Sequence, residues 1–268
     1  MTKFGKEFKR AYKTSKKGVF TVYTILRVLV ILCLILELIR GDYNNAFLCL
    51  LSLFLFTLPY FIQKTFKITL PNMLEILIFL FIFSAEILGE IQNFYGIFPY
   101  WDSMLHVING FLAAGIGFAL VDLLNKQSSS VNLSPLFVAI VSFCFSMTVG
   151  VCWEFFEFGA DRIIGVDMQK DTIVEKFSTV TIDPKQHNNA IMIDNIDHTI
   201  IYSKDKDGNI IETRIDGGYL DIGIYDTMKD LLVNLIGATT FSVIGFFYIL
   251  NRDKYKFARN FIPVKNRG

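Results

Sequence analysis

The chain has 268 residues, of which 53% are hydrophobic and 19% are charged, and 27 of them are phenylalanine. This composition excludes an ordinary soluble domain and indicates a helical membrane protein that crosses the bilayer several times. The net charge of +1 identifies no partner, because the charged residues concentrate at both ends and in one long internal segment.

Six apolar runs long enough to span a bilayer follow one another along the chain. The first comes after a basic segment with seven lysines and arginines against one acid, Glu7. It is too long for the core of a signal peptide and lacks a small-residue cleavage site, so we interpret it as a retained helix. The predicted spans are 18–39, 46–62, 73–90, 102–124, 135–158 and 226–250.

The predicted fold class is therefore an all-α membrane protein, a bundle of about six transmembrane helices. Six spans put both termini on the same side, and both tails are basic, so the positive-inside rule places them in the cytoplasm. We predict a multi-pass protein of the cell membrane with a small extracytoplasmic, β-rich insertion between helices 5 and 6. The predicted parts are a basic tail (1–17), helices 1–5 (18–158), the insertion (159–225), helix 6 (226–250) and a second basic tail (251–268).

The insertion is the one large polar segment, with twelve acids against seven bases between Asp161 and Asp221. Alternating apolar segments flank the turn dipeptide Asp207-Gly208, which predicts an antiparallel β-hairpin or a small sheet. The four cysteines lie inside apolar runs without a CxxC pair, so we interpret them as buried apolar side chains rather than a disulfide framework.

Polar residues within the spans concentrate at the predicted outer boundary of the membrane. Asp102 and His106 are spaced i, i+4 and share one face of the fourth span. The same spacing relates Asp226 and Asp230 in the sixth span. At the predicted inner boundary, Asp122 stands alone.

The fifth span ends with a third set of acids. Glu154, Glu157 and Asp161 are spaced i, i+3 and i+7, so they share one helix face. Carboxylates at a membrane boundary are costly unless they are paired, bound to a cation or facing water. We therefore interpret the three polar faces as a candidate functional site.

One interpretation of this site is a bound divalent cation. Oxygen ligands with a single imidazole favour Mg, Mn or Ca and are compatible with Zn. The predicted metal ligands are Asp102, His106, Glu154, Asp226 and Asp230. The predicted catalytic residues are His106, Glu154, Glu157 and Asp230, with Glu154 or Glu157 as general base.

The other interpretation is structural. Asp102 and Asp226 are first-turn acids that suit helix caps, and Asp230 can pair with His106 across two helices. Asn234 and Asp161 are predicted structural polar residues; Asp161 can pair with Arg162 or Lys229. Asn234 and the small residues Gly110, Gly117, Gly237 and Ala238 predict close helix packing with an interhelical hydrogen bond.

Three motifs resemble the VanZ-like and YjdF-like bacterial membrane proteins. They are Trp101-Asp102-Ser-Met-Leu-His106, then Trp153-Glu154-Phe-Phe-Glu157, then Asp226-Thr-Met-Lys-Asp230-Leu-Leu-Val-Asn234. The resemblance covers the fourth to sixth spans and implies a shared architecture and polar site. Some members of that group are associated with glycopeptide resistance. The long insertion differs from the short link of VanZ-like proteins and is more similar to the YjdF-like ones.

The function that we predict is that of a membrane-embedded, metal-dependent hydrolase or transferase acting on envelope lipids or lipid-linked precursors. Its predicted partner is the lipid bilayer, and the basic tails are explained by topology and anionic lipid rather than by nucleic acid. Two alternatives stay open: an ion-linked transporter or sensor, and a non-enzymatic scaffold whose acidic insertion docks an envelope partner. The sequence does not predict the oligomeric state.

Overall fold

The computed structural model describes residues 17–127, 132–165, 167–185 and 187–265. Apart from Lys17, the predicted N-terminal tail therefore lies outside the described residues. The chain divides into two compact units. The first contains the residues up to Val151 and those from Asp230 onward, and the second is Cys152–Lys229.

Helices form most of the described chain, as the composition predicts. In chain order they are α1 (Lys17–Arg40), α2 (Tyr43–Leu55), α3 (Leu58–Phe66), α4 (Asn72–Ile82), a π-helix (Phe83–Ile91), α5 (Phe94–Ile97), α6 (Trp101–Gln127), α7 (Pro135–Ile163), α8 (Ile224–Leu250) and a short 3₁₀-helix (Lys256–Asn260). Within the described ranges, five stretches are long and apolar enough to cross a membrane. These are Lys17–Arg40, Tyr43–Thr65, Trp101–Asn125, Pro135–Ile163 and Ile224–Leu250.

The predicted third span, 73–90, has a different form from the other five. It is the α-helix α4 continued directly by the π-helix. A π-helix has wider turns than an α-helix, and such segments commonly occur at functional sites. Trp101 at the start of α6 contacts this segment, since its Nε1 donates to the carbonyl oxygen of Ser84 at 3.2 Å.

Helix α1 has an apolar surface of the kind that lipid requires. Leucine and isoleucine side chains are exposed along it, among them Ile25, Leu32, Leu36 and Ile39. In water such a continuous patch would drive aggregation. In a bilayer it contacts acyl chains, so its exposure agrees with a membrane location.

In the first unit, small residues let the helix backbones approach closely. Ser146 Oγ donates to the Gly110 carbonyl at 2.7 Å, which joins α7 to α6. A Cβ atom at Gly237 of α8 would lie 2.0 Å from the Val107 carbonyl oxygen, and one at Gly117 would lie 2.7 Å from the Cβ of Phe145. The predicted close packing at Gly110, Gly117 and Gly237 is confirmed.

The described residues include eight short strands in four two-stranded antiparallel sheets. The first unit contains β1 (Ile68–Thr69) paired with β8 (Val264–Lys265). The second unit contains β2 (Thr172–Val174) paired with β7 (Tyr219–Asp221), β3 (Phe177–Thr179) paired with β4 (Ile191–Ile193), and β5 (His198–Lys204) paired with β6 (Ile210–Asp216).

The predicted hairpin around Asp207-Gly208 is confirmed as β5 and β6. Asp205 closes its turn, because the carboxylate accepts from the N–H groups of Asp207 and Asn209 at 2.9 and 2.8 Å. Gly208 has a φ of +85°, a conformation that side chains other than glycine rarely adopt. The turn chemistry therefore sets the strand register, in which Ile201 lies opposite Thr213.

The segment after α8 folds back onto the first unit. Phe261 and Ile262 are buried, and the Phe261 ring lies 5.3 Å from that of Phe111. Arg252 Nη2 lies 2.7 Å from Asp122 Oδ1. The prediction that Asp122 stands alone is therefore wrong, because an arginine just beyond the end of α8 pairs with it.

Candidate metal centre

Three predicted site residues converge in the first unit. Asp102 and His106 lie one turn apart at the start of α6, and Asp230 lies on α8. The Nε2 atom of His106 is 3.5 Å from Asp102 Oδ1 and 3.8 Å from Asp230 Oδ2. One ligand atom from each residue lies within 4.8 Å of the other two. We refer to Asp102, His106 and Asp230 as the Asp–His–Asp cluster.

The cluster has little access to solvent. The Asp230 side chain is 2% exposed, that of His106 is 9% exposed, and that of Asp102 is 26% exposed. Two carboxylates this close together repel each other unless a positive charge lies between them. A divalent cation supplies such a charge, and so does a protonated imidazole. Asp102 is the member through which solvent has the most access.

The donor set of the cluster suits a metal ion. Bonds from Zn to nitrogen or carboxylate oxygen measure about 2.0–2.2 Å, so neighbouring ligand atoms of one ion lie about 3 to 3.5 Å apart. The His106–Asp102 distance fits this range, and the distance from His106 to Asp230 exceeds it by a few tenths of an ångström. One imidazole nitrogen with two carboxylate oxygens suits Zn or Mn. Three protein ligands also leave coordination positions for water and substrate.

Asn234 extends the polar stripe of α8 one turn beyond Asp230 and is fully buried. It sits against two glycines, since a Cβ at Gly110 would lie 2.2 Å from the Asn234 carbonyl oxygen and one at Gly150 would lie 2.7 Å from Nδ2. Its Oδ1 atom has no hydrogen-bond partner among the described residues. A buried amide oxygen in this state is costly.

In the second unit, both of the α7 glutamates that the sequence predicts as catalytic residues are buried. Glu154 and Glu157 are each less than one-tenth exposed. The Nε1 atom of Trp153 donates to Glu157 Oε1 at 2.7 Å, so this tryptophan orients a carboxylate. The catalytic roles of both glutamates, and metal binding by Glu154, stay predictions.

The remaining two acids hold a loop in the second unit. Asp161 accepts from the N–H groups of Met168 and Gln169 at 2.6 and 2.9 Å. Asp226 accepts from the N–H of Lys170 at 2.9 Å, and its other oxygen lies 3.2 Å from Lys229 Nζ. The loop 168–170 therefore ties the end of α7 to the start of α8. Metal binding by Asp226 stays a prediction.

Three acids lie near Asp171, which directly follows this loop: Asp161, Asp167 and Asp221. Burial, and then the charges of Asp167, Asp161 and Asp221, raise the pKa of Asp171. Asp171 consequently takes up a proton at a higher pH than an ordinary aspartate does.

Sequence reasoning missed one polar contact of this loop. Gln169 is buried, and its Nε2 donates to Thr227 Oγ1 on the first turn of α8. The two residues lie 58 positions apart, and the loop has no periodic pattern that would single out Gln169. A hydroxyl directly after Asp226 is the one local signal for this contact.

Comparisons with known proteins agree with a membrane protein. The model of a family described as "Predicted membrane protein (DUF2238)" matches residues 22–251. The chain is also similar to an uncharacterized protein of Thermotoga maritima, with 27% identity over 106 residues that make up 40% of this chain and 53% of that protein. It thus spans about half the length of this curated relative. No solved structure matches the chain.

Proposed function

The chain belongs to this DUF2238 family of predicted membrane proteins, and we propose that it is a metal-dependent hydrolase or transferase of envelope lipids or lipid-linked precursors. The observation that carries the proposal is the buried Asp–His–Asp cluster, whose three ligand atoms converge within 4.8 Å. Its residues lie on α6 and α8, which are both long and apolar enough to span a membrane. A substrate for this cluster must therefore reach the membrane, as lipid headgroups and lipid-linked groups do.

Two sequence features support an outward-facing site. The basic tails favour cytoplasmic termini, and in our proposal the starts of α6 and α8 accordingly lie at the outer surface. The motifs that resemble VanZ-like and YjdF-like proteins contain all three residues of the cluster. The partial exposure of Asp102 agrees with entry of a headgroup from that surface.

In this proposal the cluster binds one divalent cation through His106 Nε2 and one oxygen each from Asp102 and Asp230. A bound cation polarises a phosphoryl or carbonyl oxygen and lowers the pKa of a bound water. Asp230 is buried and holds its position on α8, while Asp102 lies nearer to solvent, so substrate approaches on the Asp102 side. The apolar helices around the cluster exclude bulk water and strengthen its electrostatic interactions.

The test is elemental analysis of purified protein after supplementation with Mg, Mn, Ca or Zn and removal of free metal. We expect about one equivalent of a divalent cation in the unmodified protein and none in His106→Ala or Asp230→Asn. His198→Ala is the matched control, because His198 also pairs with an aspartate, at 2.8 Å from Asp197, but on the exposed hairpin. This control should retain the metal.

Thermal unfolding gives an independent measure of binding. A cation at one hundred times its Kd stabilises the folded state by about 2.7 kcal/mol, because it binds the folded form alone. The unmodified protein and His198→Ala should show this stabilisation, and the two cluster variants should not. If neither metal content nor stabilisation is found with any of the four cations, the metal centre is refuted.

The enzymatic part of the proposal has a separate test. A strain lacking the protein should differ in its envelope lipids, and the unmodified protein and His198→Ala should restore them. Asp230→Asn, expressed at the same level, should fail to do so. Restoration by Asp230→Asn would refute the catalytic function even if the cation binds.

A further inference from the structure

Strand β6 forms an exposed edge in the second unit. Within the part of the chain that the structure describes, it is hydrogen-bonded to β5 alone. Every residue from Ile210 to Arg214 is exposed, and Ile210 is 70% exposed. A free strand edge with apolar side chains is a template for pairing with another chain. A hairpin of two strands is also marginally stable alone and gains stability from further strands.

Between Ile211 and Ile215, the sequence of β6 is symmetric about Thr213 in a way that suits pairing with itself. In an antiparallel pair of two copies centred on Thr213, Glu212 of each copy lies opposite Arg214 of the other. Ile211 likewise lies opposite Ile215. Directly opposed residues share one face of a sheet, so the charged pairs lie on one face and the apolar pairs on the other.

We propose that β6 is a dimerisation strand, and that a second copy of this chain pairs along it to give a four-stranded antiparallel sheet ordered β5, β6, β6, β5. Two copies related by a two-fold axis make each favourable pair twice, as an isologous interface requires. Strand β5 offers no opposed pair of opposite charges, because pairing centred on Ile201 would place His198 opposite Lys204 and otherwise uncharged residues opposite each other. The charges therefore favour the β6 edge over the β5 edge.

The contacts that Arg214 makes within one chain do not prevent this pairing. Its Nε lies 2.6 Å from Asp216 Oδ1, and its Nη2 lies 3.9 Å from Asp197 Oδ2. Both carboxylates are largely exposed. Exposed ion pairs contribute little to stability, so Arg214 can exchange or share these partners with Glu212 of the second copy.

The first test is disulfide formation at the symmetry position in the full-length protein. Two copies of Thr213 face each other with a Cα separation of about 4.5–5.5 Å, which a disulfide spans. Thr213→Cys should therefore give a covalent dimer on mild oxidation, at least about ten times faster than Lys206→Cys in the exposed hairpin turn. The parent chain, with its four native cysteines, gives the background. Equal rates at positions 213 and 206 would overturn the proposal.

The second test exchanges the charges and measures the mass of the full-length protein in detergent or nanodiscs. Glu212→Arg and Arg214→Glu each turn two attractive pairs into two repulsive ones, so the dimer Kd should rise about tenfold. The double exchange restores opposite charges across the interface and should return the Kd to within about threefold of the original.

The double exchange separates dimerisation from a role within one chain. It does not restore the contacts of Arg214 with Asp216 and Asp197, so recovery of the dimer identifies contacts between copies. A protein that is monomeric at every concentration overturns the proposal, and so does a double variant that dimerises as weakly as the single ones. Neither result depends on whether the Asp–His–Asp cluster binds a metal.

Discussion

Replacement of Gly237 by alanine should force α6 and α8 apart. The added Cβ would lie 2.0 Å from the Val107 carbonyl oxygen and 2.8 Å from the Phe111 nitrogen. Both neighbours are backbone atoms and cannot rotate away as a side chain can. The helices must therefore separate locally by at least about 1 Å, because packed interiors contain no spare volume.

The expected loss of stability follows from two opposing effects. Overpacking of a close contact costs about 1–3 kcal/mol, whereas alanine is favoured over glycine in a helix by about 1 kcal/mol. Because the clash is with backbone atoms, the overpacking cost should lie at the upper end of that range, about 2–3 kcal/mol. The net loss should then be about 1–2 kcal/mol, or about 2–8 °C in the midpoint of thermal unfolding. Because Val107 adjoins His106, the same movement should lengthen the 3.8 Å distance to Asp230 and weaken metal binding.

Thermal unfolding of the purified protein in one detergent tests this prediction, with Gly159→Ala as the matched control. A Cβ at Gly159 of α7 meets nothing within 4 Å. This variant should gain the helix preference of alanine without a clash and be as stable as the unmodified protein or slightly more so. If Gly237→Ala is equally stable, the close approach of α6 and α8 does not exist in solution.

Two further changes test other contacts. Arg252→Met removes the positive charge beside buried Asp122 and should cost about 2–3 kcal/mol, less than the 3–5 kcal/mol of a fully buried pair because the arginine side chain is 33% exposed. The double variant Asp122→Leu/Arg252→Met should recover most of this lost stability. If Arg252→Met alone is as stable as the unmodified protein, the pair is not stabilising. The pKa of Asp183 lies below its ordinary value of 3.8 because backbone N–H groups donate to the carboxylate, and the N–H of Lys185 has the largest effect. Its carboxylate thus protects those amides above pH 3.8 and loses this effect as the pH falls through the lowered pKa. Amide exchange, taken relative to the intrinsic rate at each pH, should show the loss. Asp183→Ala should remove the protection at every pH, and unchanged exchange in that variant would refute the contact.

The sequence predicts those parts of the structure that depend on local chemistry. Asp207-Gly208 predicts the hairpin because few residues other than glycine adopt the backbone conformation that the turn needs. The i, i+4 spacing of Asp102 and His106 predicts their shared face, because that geometry belongs to any α-helix. Neither pattern fixes the rotation of α6 against α8, so the meeting of His106 with Asp230 depends on tertiary packing at Gly237.

Local sequence patterns do not predict contacts between residues that are far apart in the chain. Asp122 and Arg252 are 130 positions apart, and each looks like an ordinary charge at the end of a span. Their opposite charges at the same predicted boundary were the available signal. The π-helix at Phe83–Ile91 has no signal of this kind, because an apolar run looks the same whichever helical hydrogen-bond pattern it adopts.

The way that the C-terminal segment folds back has a practical consequence for topology mapping. Reporter enzymes are commonly fused to membrane proteins truncated directly after a span. A fusion placed after Leu250 would lack Phe261 and Ile262, which are buried in the first unit, and Arg252, which pairs with Asp122. Such a chimera would report the orientation of a damaged helix bundle. A reporter joined after β8 keeps these contacts and reads the orientation of the intact protein.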